Sequence, residues 1–306
     1  MVDKIPEKID DKWILSHRGK KNVVDPFIPY AYLVEKEFSH IGLIEDVATI
    51  FLTNRECPFH CLMCDLWKNT TDEKVPVGAI PQQIKYALNK LPSTNHLKLY
   101  NSGNFFDLKA IPVEDYRAIA ELVSDFQSLI VECHPKLINQ KCLDFNQLIQ
   151  TELQVAMGLE TVHPHILPKL NKQMDLKDFE RTVRFLFKNN IKTRAFILLG
   201  LPGLNESESV EWAKRSVKFA FEAGVECCAV IPTRSGNGVM DIFQRKDEFG
   251  EPYVESLQEV LEYGISLNAG RVFADLWDLE HFSRGEANFD KIKKRMEFLN
   301  LHQLLE

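Results

Sequence analysis

The sequence predicts an α/β protein whose core is a partial (βα)6 TIM-like barrel, with an extension at each end. Three observations predict it. Six short apolar runs alternate with amphipathic stretches, which implies a parallel sheet joined by right-handed crossovers. Three closely spaced cysteines follow the first apolar run directly, which favours a curved, partly closed sheet over a flat doubly wound one. The 306 residues, 45% hydrophobic and 26% charged, suit one large core and exclude disordered or collagen-like classes.

The first strand is 47–52 (VATIFL), a continuous apolar run of the kind buried on both faces. A helix over 80–90 follows, with Pro81 in its first turn, where a missing N–H costs little. Strand 96–101 and helix 113–126 form the second unit, and strand 129–133 with a helix near 144–150 the third. Strand 153–158 with helix 176–189, strand 193–199 with helix 206–223, and strand 226–231 complete the set. Asn205 and Glu208 have the spacing of a capping box. Residues 1–45 read as an N-terminal extension, 46–238 as the core barrel, and 239–306 as a C-terminal helical extension covering it. That last part holds a helical stretch at 253–267, the segment RVFADLW at 271–277 and a charged helix near 289–305. Ligands of such sheets bind where the C-terminal strand ends meet loops.

Net charge is −7, which argues against a broadly basic nucleic-acid surface. The densest basic stretches, 18–21 and 291–295, read as solvated faces. No window approaches twenty apolar residues, and MVDKIPEKIDDKW lacks the apolar centre of a signal peptide. The expectation is a cytoplasmic protein without membrane association. Seven cysteines, an odd number without an export signal, do not suggest a disulfide framework. Cys133, Cys142, Cys227 and Cys228 are scattered and read as buried thiols.

Cys57, Cys61 and Cys64 instead form C-x3-C-x2-C within TNRECPFHCLMCDLW. Close thiolates repel one another unless a cation or cluster neutralises them. Zinc normally takes four ligands, commonly from two separated pairs, and no second C-x2-C pair exists. A non-catalytic zinc or Fe–S protein, with His60 or a distant cysteine as fourth ligand, is the alternative. A [4Fe–4S] cluster on three cysteines leaves one iron for a ligand from outside the protein.

This spacing after a first barrel strand, with the apolar Met63 before the third cysteine, resembles the radical S-adenosylmethionine (SAM) superfamily. The resemblance implies a [4Fe–4S] cluster on Cys57, Cys61 and Cys64, and SAM chelated to the open iron through its amino and carboxylate groups. It implies an enzyme that cleaves SAM reductively to a 5′-deoxyadenosyl radical, which abstracts hydrogen from substrate. It also places SAM contacts at the other strand ends. Ser102, Gly103 and Asn104 stand where the family offers backbone to the methionyl ammonium. Glu132 ends the third strand, as an acceptor for ribose hydroxyls or as a solvated strand-end charge, and Glu160 closes a Gly-Leu-Glu element, in the SAM pocket or in a structural role. Arg194, early in the fifth strand, matches the position that meets the SAM carboxylate, or else makes a surface salt bridge, and Gly200 opens a Gly-Leu-Pro-Gly loop near the adenine. Met63 belongs to the same cofactor-binding set. No catalytic residue follows from the sequence.

Within 47–238, the segments CPFHCLMCDLW, KLYNSGNFFD, LIVECHP, VAMGLET and LNKQMDLKDFERTV are most similar to the radical SAM group that acts in archaeosine formation. That likeness implies a small-molecule substrate or a modified nucleoside, and a reducing partner such as ferredoxin or flavodoxin. It also puts tRNA among the partners, which the acidic balance does not favour. Loop 231–238 borders the adenine, clamps an anionic substrate or is a tight exit turn. Trp277, in the segment 275–278, reads as a core residue or as part of a closure over the barrel mouth.

Overall fold

In the central strands alternate residues are apolar and buried, so one sheet face is committed to packing against helices. Ala48, Ile50, Leu97, Leu99, Leu129, Val131, Val155, Met157, Ala195 and Ile197 all belong to one continuous core with apolar residues of the surrounding helices. The computed structural model describes residues 5–285 and 287–305, so residues 1–4, with which the N-terminal extension begins, lie outside it.

The strands are β1 (Ala31–Phe38), β2 (Ile44–Phe51), β3 (His96–Tyr100), β4 (Ser128–Glu132), β5 (Glu152–Glu160), β6 (Lys192–Leu199), β7 (Cys227–Pro232) and β8 (Arg271–Ala274). They form one sheet in chain order. β1 pairs antiparallel with β2, and every later neighbour pair is parallel. The helices are α1 (Asp11–His17), α2 (Ala79–Leu88), α3 (Tyr116–Leu122), α4 (Gln140–Leu148), α5 (Leu176–Lys188), α6 (Glu206–Ala223), α7 (Val239–Arg245), α8 (Val254–Ser266) and α9 (Phe289–His302). The six expected strands are β2 to β7, and the curled sheet is the expected partial barrel with one further strand from each flank. Helix α3 is shorter than expected, because residues 113–115 form a separate 3-10 turn. Helix α4 starts earlier, at a cap where the Asn139 side chain accepts from the Lys141 amide. The capping box of α6 is present as read.

The two edge strands meet through side chains. Arg271 of β8 donates to the Phe38 carbonyl of β1 at 2.9 Å, and α9 packs on both strands. Beneath them, at the N-terminal end of the barrel, Glu37 is ion-paired with Lys98 and Arg194. Among the described residues no helix is long and apolar enough to cross a membrane.

Candidate functional site

The three cysteines lie in the loop that leaves the C-terminal end of β2, and other elements tie down the backbone of this loop. Gln83 of α2 accepts from the Thr53 amide at 2.8 Å and donates to the Thr53 carbonyl at 2.7 Å. The Leu62 amide donates to the Leu170 carbonyl at 2.9 Å. Asn171 donates to the His60 carbonyl at 2.8 Å. Buried Asn237, after β7, donates to the carbonyls of Leu62 (2.8 Å) and Cys64 (3.2 Å). Arg18 and Lys21 both pair with Glu56 of the loop. A loop held from so many sides is preorganised to present its thiols.

Burial pushes the Cys57 thiol up to about 11 and those of Cys61 and Cys64 up to about 12, and each thiol feels another of the three. The Cys57 Sγ accepts from Asn104 Nδ2 at 3.0 Å and from the Phe59 amide at 3.4 Å. Phe59, between the first two cysteines, stacks on His134 with ring centroids 3.8 Å apart. His134 in turn donates its amide to Asn104 Oδ1 at 2.6 Å. One hydrogen-bonded unit from β3 and β4 therefore supports the first cysteine, in the way an outer shell orients a metal ligand.

Beside the thiols lies a buried ion pair, Lys172 Nζ to Glu160 Oε1 at 2.6 Å. The ammonium acts on Cys61 and Cys57 and opposes the rise of both thiols. Glu160 has φ of +65°. A Cβ on Gly158 would come within 2.0 Å of its Oε1 and 2.6 Å of Lys172 Nζ. The glycine of Gly-Leu-Glu is thus required by the ion pair that crosses its face.

The remaining expected residues are placed as follows. Glu132 accepts from the amides of Asn101 (2.6 Å) and Gly103 (3.3 Å), and burial raises its carboxyl to about 7. Ser102 has φ of +51°, and its hydroxyl meets the Tyr30 hydroxyl at 2.8 Å. Met63 packs between two apolar clusters. Gly200 has φ of +81°, and a Cβ there would meet Pro252 Cδ at 2.7 Å, so it carries a tight backbone approach. The reading of Arg194 needs correction. Its guanidinium is buried at the N-terminal half of the barrel, bonded to Glu37 and to Gln154 (3.2 Å), and among the described residues no hydrogen bond or ion pair links it to the cysteine loop. Side chains alternate across the sheet, and the third residue of β6 points inward well below the mouth.

Lys172, His134, Tyr30 and Asn237 were not assigned from sequence. Lys172 and His134 stand inside the segments that carry the family likeness, but nothing in their local pattern marks them. His60 meets carboxylates on both ring nitrogens, Nδ1 3.2 Å from Asp11 and Nε2 3.8 Å from Glu56. Among the described residues no three His, Cys, Asp or Glu side chains converge to hold a single ion. Three soft sulfurs, each in its own position, fit a cubane cluster, which takes its ligands on separate irons. On the neighbouring strand end, both side-chain amide atoms of fully buried Asn101 have no hydrogen-bond partner among the described residues. The other four cysteines are buried free thiols.

Comparison with known proteins agrees with this geometry. The sequence family described as the radical SAM superfamily matches residues 51–216, more than half of the chain. An uncharacterized protein of Methanocaldococcus jannaschii is 24% identical over 262 residues, 80% of this chain and 72% of that one. Archaeosine synthase subunit beta of Thermococcus kodakarensis is 25% identical over 211 residues, 66% of this chain and 65% of the relative. Among solved structures, the archaeal Methanocaldococcus infernus Elp3 with an N-terminal deletion superposes at a TM-score of 0.53 and 16% identity, over 73% of this chain and 59% of that one. Methylornithine synthase (PylB) superposes at 0.52 and 14% identity, over 82% of each chain. Identities this low show the shared fold alone. The family match over more than half of the chain establishes that it belongs to the radical SAM superfamily, enzymes that use a [4Fe–4S] cluster and SAM.

Proposed function

We propose that Cys57, Cys61 and Cys64 hold the [4Fe–4S] cluster, that SAM binds beside it at the barrel mouth, and that a small-molecule substrate or modified nucleoside loses a hydrogen atom there. The observation that carries this is three half-buried thiols on a clamped loop at a C-terminal strand end, with a buried ammonium beside them. Bound there, the cluster and SAM would supply one-electron, hydrogen-abstracting radical chemistry. The chain's own residues bind, orient and shield. Lys172 takes the role first read for Arg194 and offers its ammonium to the SAM carboxylate, with Glu160 fixing its position. Asn104 holds the Cys57 sulfur. Glu132 gathers the amides of Asn101 and Gly103 into a fixed turn, and the unpartnered Asn101 amide is free to meet a polar group of SAM. Residues 46–238 serve as the core, and the described parts of the flanking segments before and after it help enclose the mouth. Enclosure matters because a primary carbon radical attacks whatever hydrogen lies nearest.

Anaerobically reconstituted protein with dithionite and SAM is expected to release 5′-deoxyadenosine, and Cys→Ala at any of the three positions to abolish it. Cluster-loaded protein that releases none overturns the reading. One zinc per chain with no labile sulfide would favour the non-catalytic alternative. In the cell, a ferredoxin- or flavodoxin-type protein would supply the electron. A second reading, a modified nucleoside within tRNA, is supported by the likeness to archaeosine synthase subunit beta. It predicts tRNA binding that weakens steeply as salt rises; a filter-binding assay showing no retention at low salt would remove it.

A further inference from the structure

The lumen beneath the mouth has a composition of its own. Phe51 of β2, Tyr100 of β3 and Phe196 of β6 form a string of rings across the barrel, with centroids 6.1 and 6.0 Å apart. All three remain partly exposed although they point inward, so they border open space. Trp277, just past β8, extends the string, 6.3 Å from Phe51 and 58% exposed. A solvated indole at the rim of an aromatic lumen is a contact surface looking for a ring or a cation.

The inner charges are nearly all satisfied. Lys98 pairs with Glu35 and Glu37, Arg194 with Glu37, and Arg271 with Glu226. Asp275, two residues before the exposed indole, differs. Its Oδ1 accepts from the Trp277 amide at 3.0 Å, and among the described residues it has no ion-pair partner. The nearby Arg234 is engaged by Asp278 and by the Trp277 carbonyl. Burial holds the Asp275 carboxyl above its ordinary range even though the Trp277 amide and the charges of Arg234 and Lys98 pull the other way, so an acid short of solvation still gains from a cation in direct contact.

We infer that this end of the lumen takes a substrate with a planar apolar body and a cationic nitrogen, the body lying on the rings of Phe51, Tyr100 and Trp277 and the cation meeting Asp275. The carboxylate and the indole stand on one turn, so a single ammonium or amidinium meets both an ion pair and a ring face. The inference rests on the barrel mouth being the substrate site of the function proposed above, but its test does not need turnover.

Three probes with one ring and different charge decide it: benzamidine, benzamide and benzoate, each titrated calorimetrically into cluster-loaded, SAM-bound protein. Benzamidine is expected to bind at least about tenfold more tightly than benzamide, the worth of one charged hydrogen bond, and benzoate more weakly still. Asp275→Asn keeps an oxygen for the Trp277 amide, so the turn should stay folded, and it should bring benzamidine down to the affinity of benzamide. Trp277→Ala should weaken benzamidine while leaving Asp275 in place. Absence of benzamidine binding, equal binding of benzamide or benzoate, or survival of the preference in Asp275→Asn overturns the inference. Release of 5′-deoxyadenosine without a cation preference would overturn this inference alone. A cation preference without 5′-deoxyadenosine would overturn the radical reading alone.

Discussion

Lys172 and Glu160 meet at 2.6 Å with both side chains more than nine-tenths buried. Such a pair is expensive to desolvate, and removing one partner leaves a bare charge. Lys172→Met is therefore expected to destabilise the fold by about 3 kcal/mol, and Glu160→Gln/Lys172→Met to regain most of that loss; urea unfolding of both variants checks it. If the pair also serves SAM, both variants should lose SAM affinity, which separates binding from stability. Residues of this kind are hard to find in a sequence. The three cysteines announce themselves by spacing, because one short loop must bring three sulfurs together. Lys172 is a lysine among 37 basic residues, and only the return of the chain after β5 makes it the cation of the site. Arg194 shows the reverse. Its resemblance to a SAM-binding position was plain, yet its partner Glu37 lies 157 positions away on a strand the sequence pattern did not reveal.

Among the elements, α6 is the most legible. Its bounds coincide with the amphipathic stretch, Asn205 and Glu208 cap it reciprocally, and Gly224 ends it at φ of +102°. Asn205→Ala removes the acceptor for the Glu208 amide and is expected to cost about 1 kcal/mol, read as a lower thermal midpoint with unchanged cluster content. Strand β1 was illegible for a physical reason. Its run Glu35-Lys36-Glu37 breaks the apolar pattern expected of a strand in this core, and the two glutamates find their cations on β3 and β6, far along the chain. Strand β8 spans four residues, too few for a period to register. The Trp277 segment was read as core or closure, and the indole is in fact largely exposed.

On the scale of the whole molecule, stability and acidity are coupled through His134. Its Nε2 faces the Lys172 carbonyl at 2.9 Å and its Nδ1 accepts from the Lys136 amide at 3.2 Å, so the neutral ring is the one that fits. Burial first, and then the Lys172 charge, depress its pKa from 6.5 to about 3. Between those values the unfolded chain binds the proton and the fold does not, so stability falls as pH drops through that window. His134→Phe keeps a ring for Phe59 and cannot titrate. It is expected to be less stable at pH 7, for want of its hydrogen bonds, yet to show a flatter decline from pH 6.5 toward 3. Denaturant midpoints measured across that range on the cluster-free chain test this.

What the sequence determined by itself was the alternation that makes a parallel curled sheet, the helix ends fixed by local caps, and the cysteine spacing that points to a three-thiol cluster site. These are short-range patterns, written within one element or one loop, so neighbours along the chain suffice to fix them. What only the tertiary structure decided was which charges meet. It set Lys172 beside the cysteine loop and Arg194 deep in the barrel, closed the sheet edges through Arg271, and among the described residues left Asp275 without an ion-pair partner. Pairings of that kind depend on the curl of the sheet and the depth of each residue within it, and a chain can bring any of its many charges to a given depth only once the whole barrel has formed.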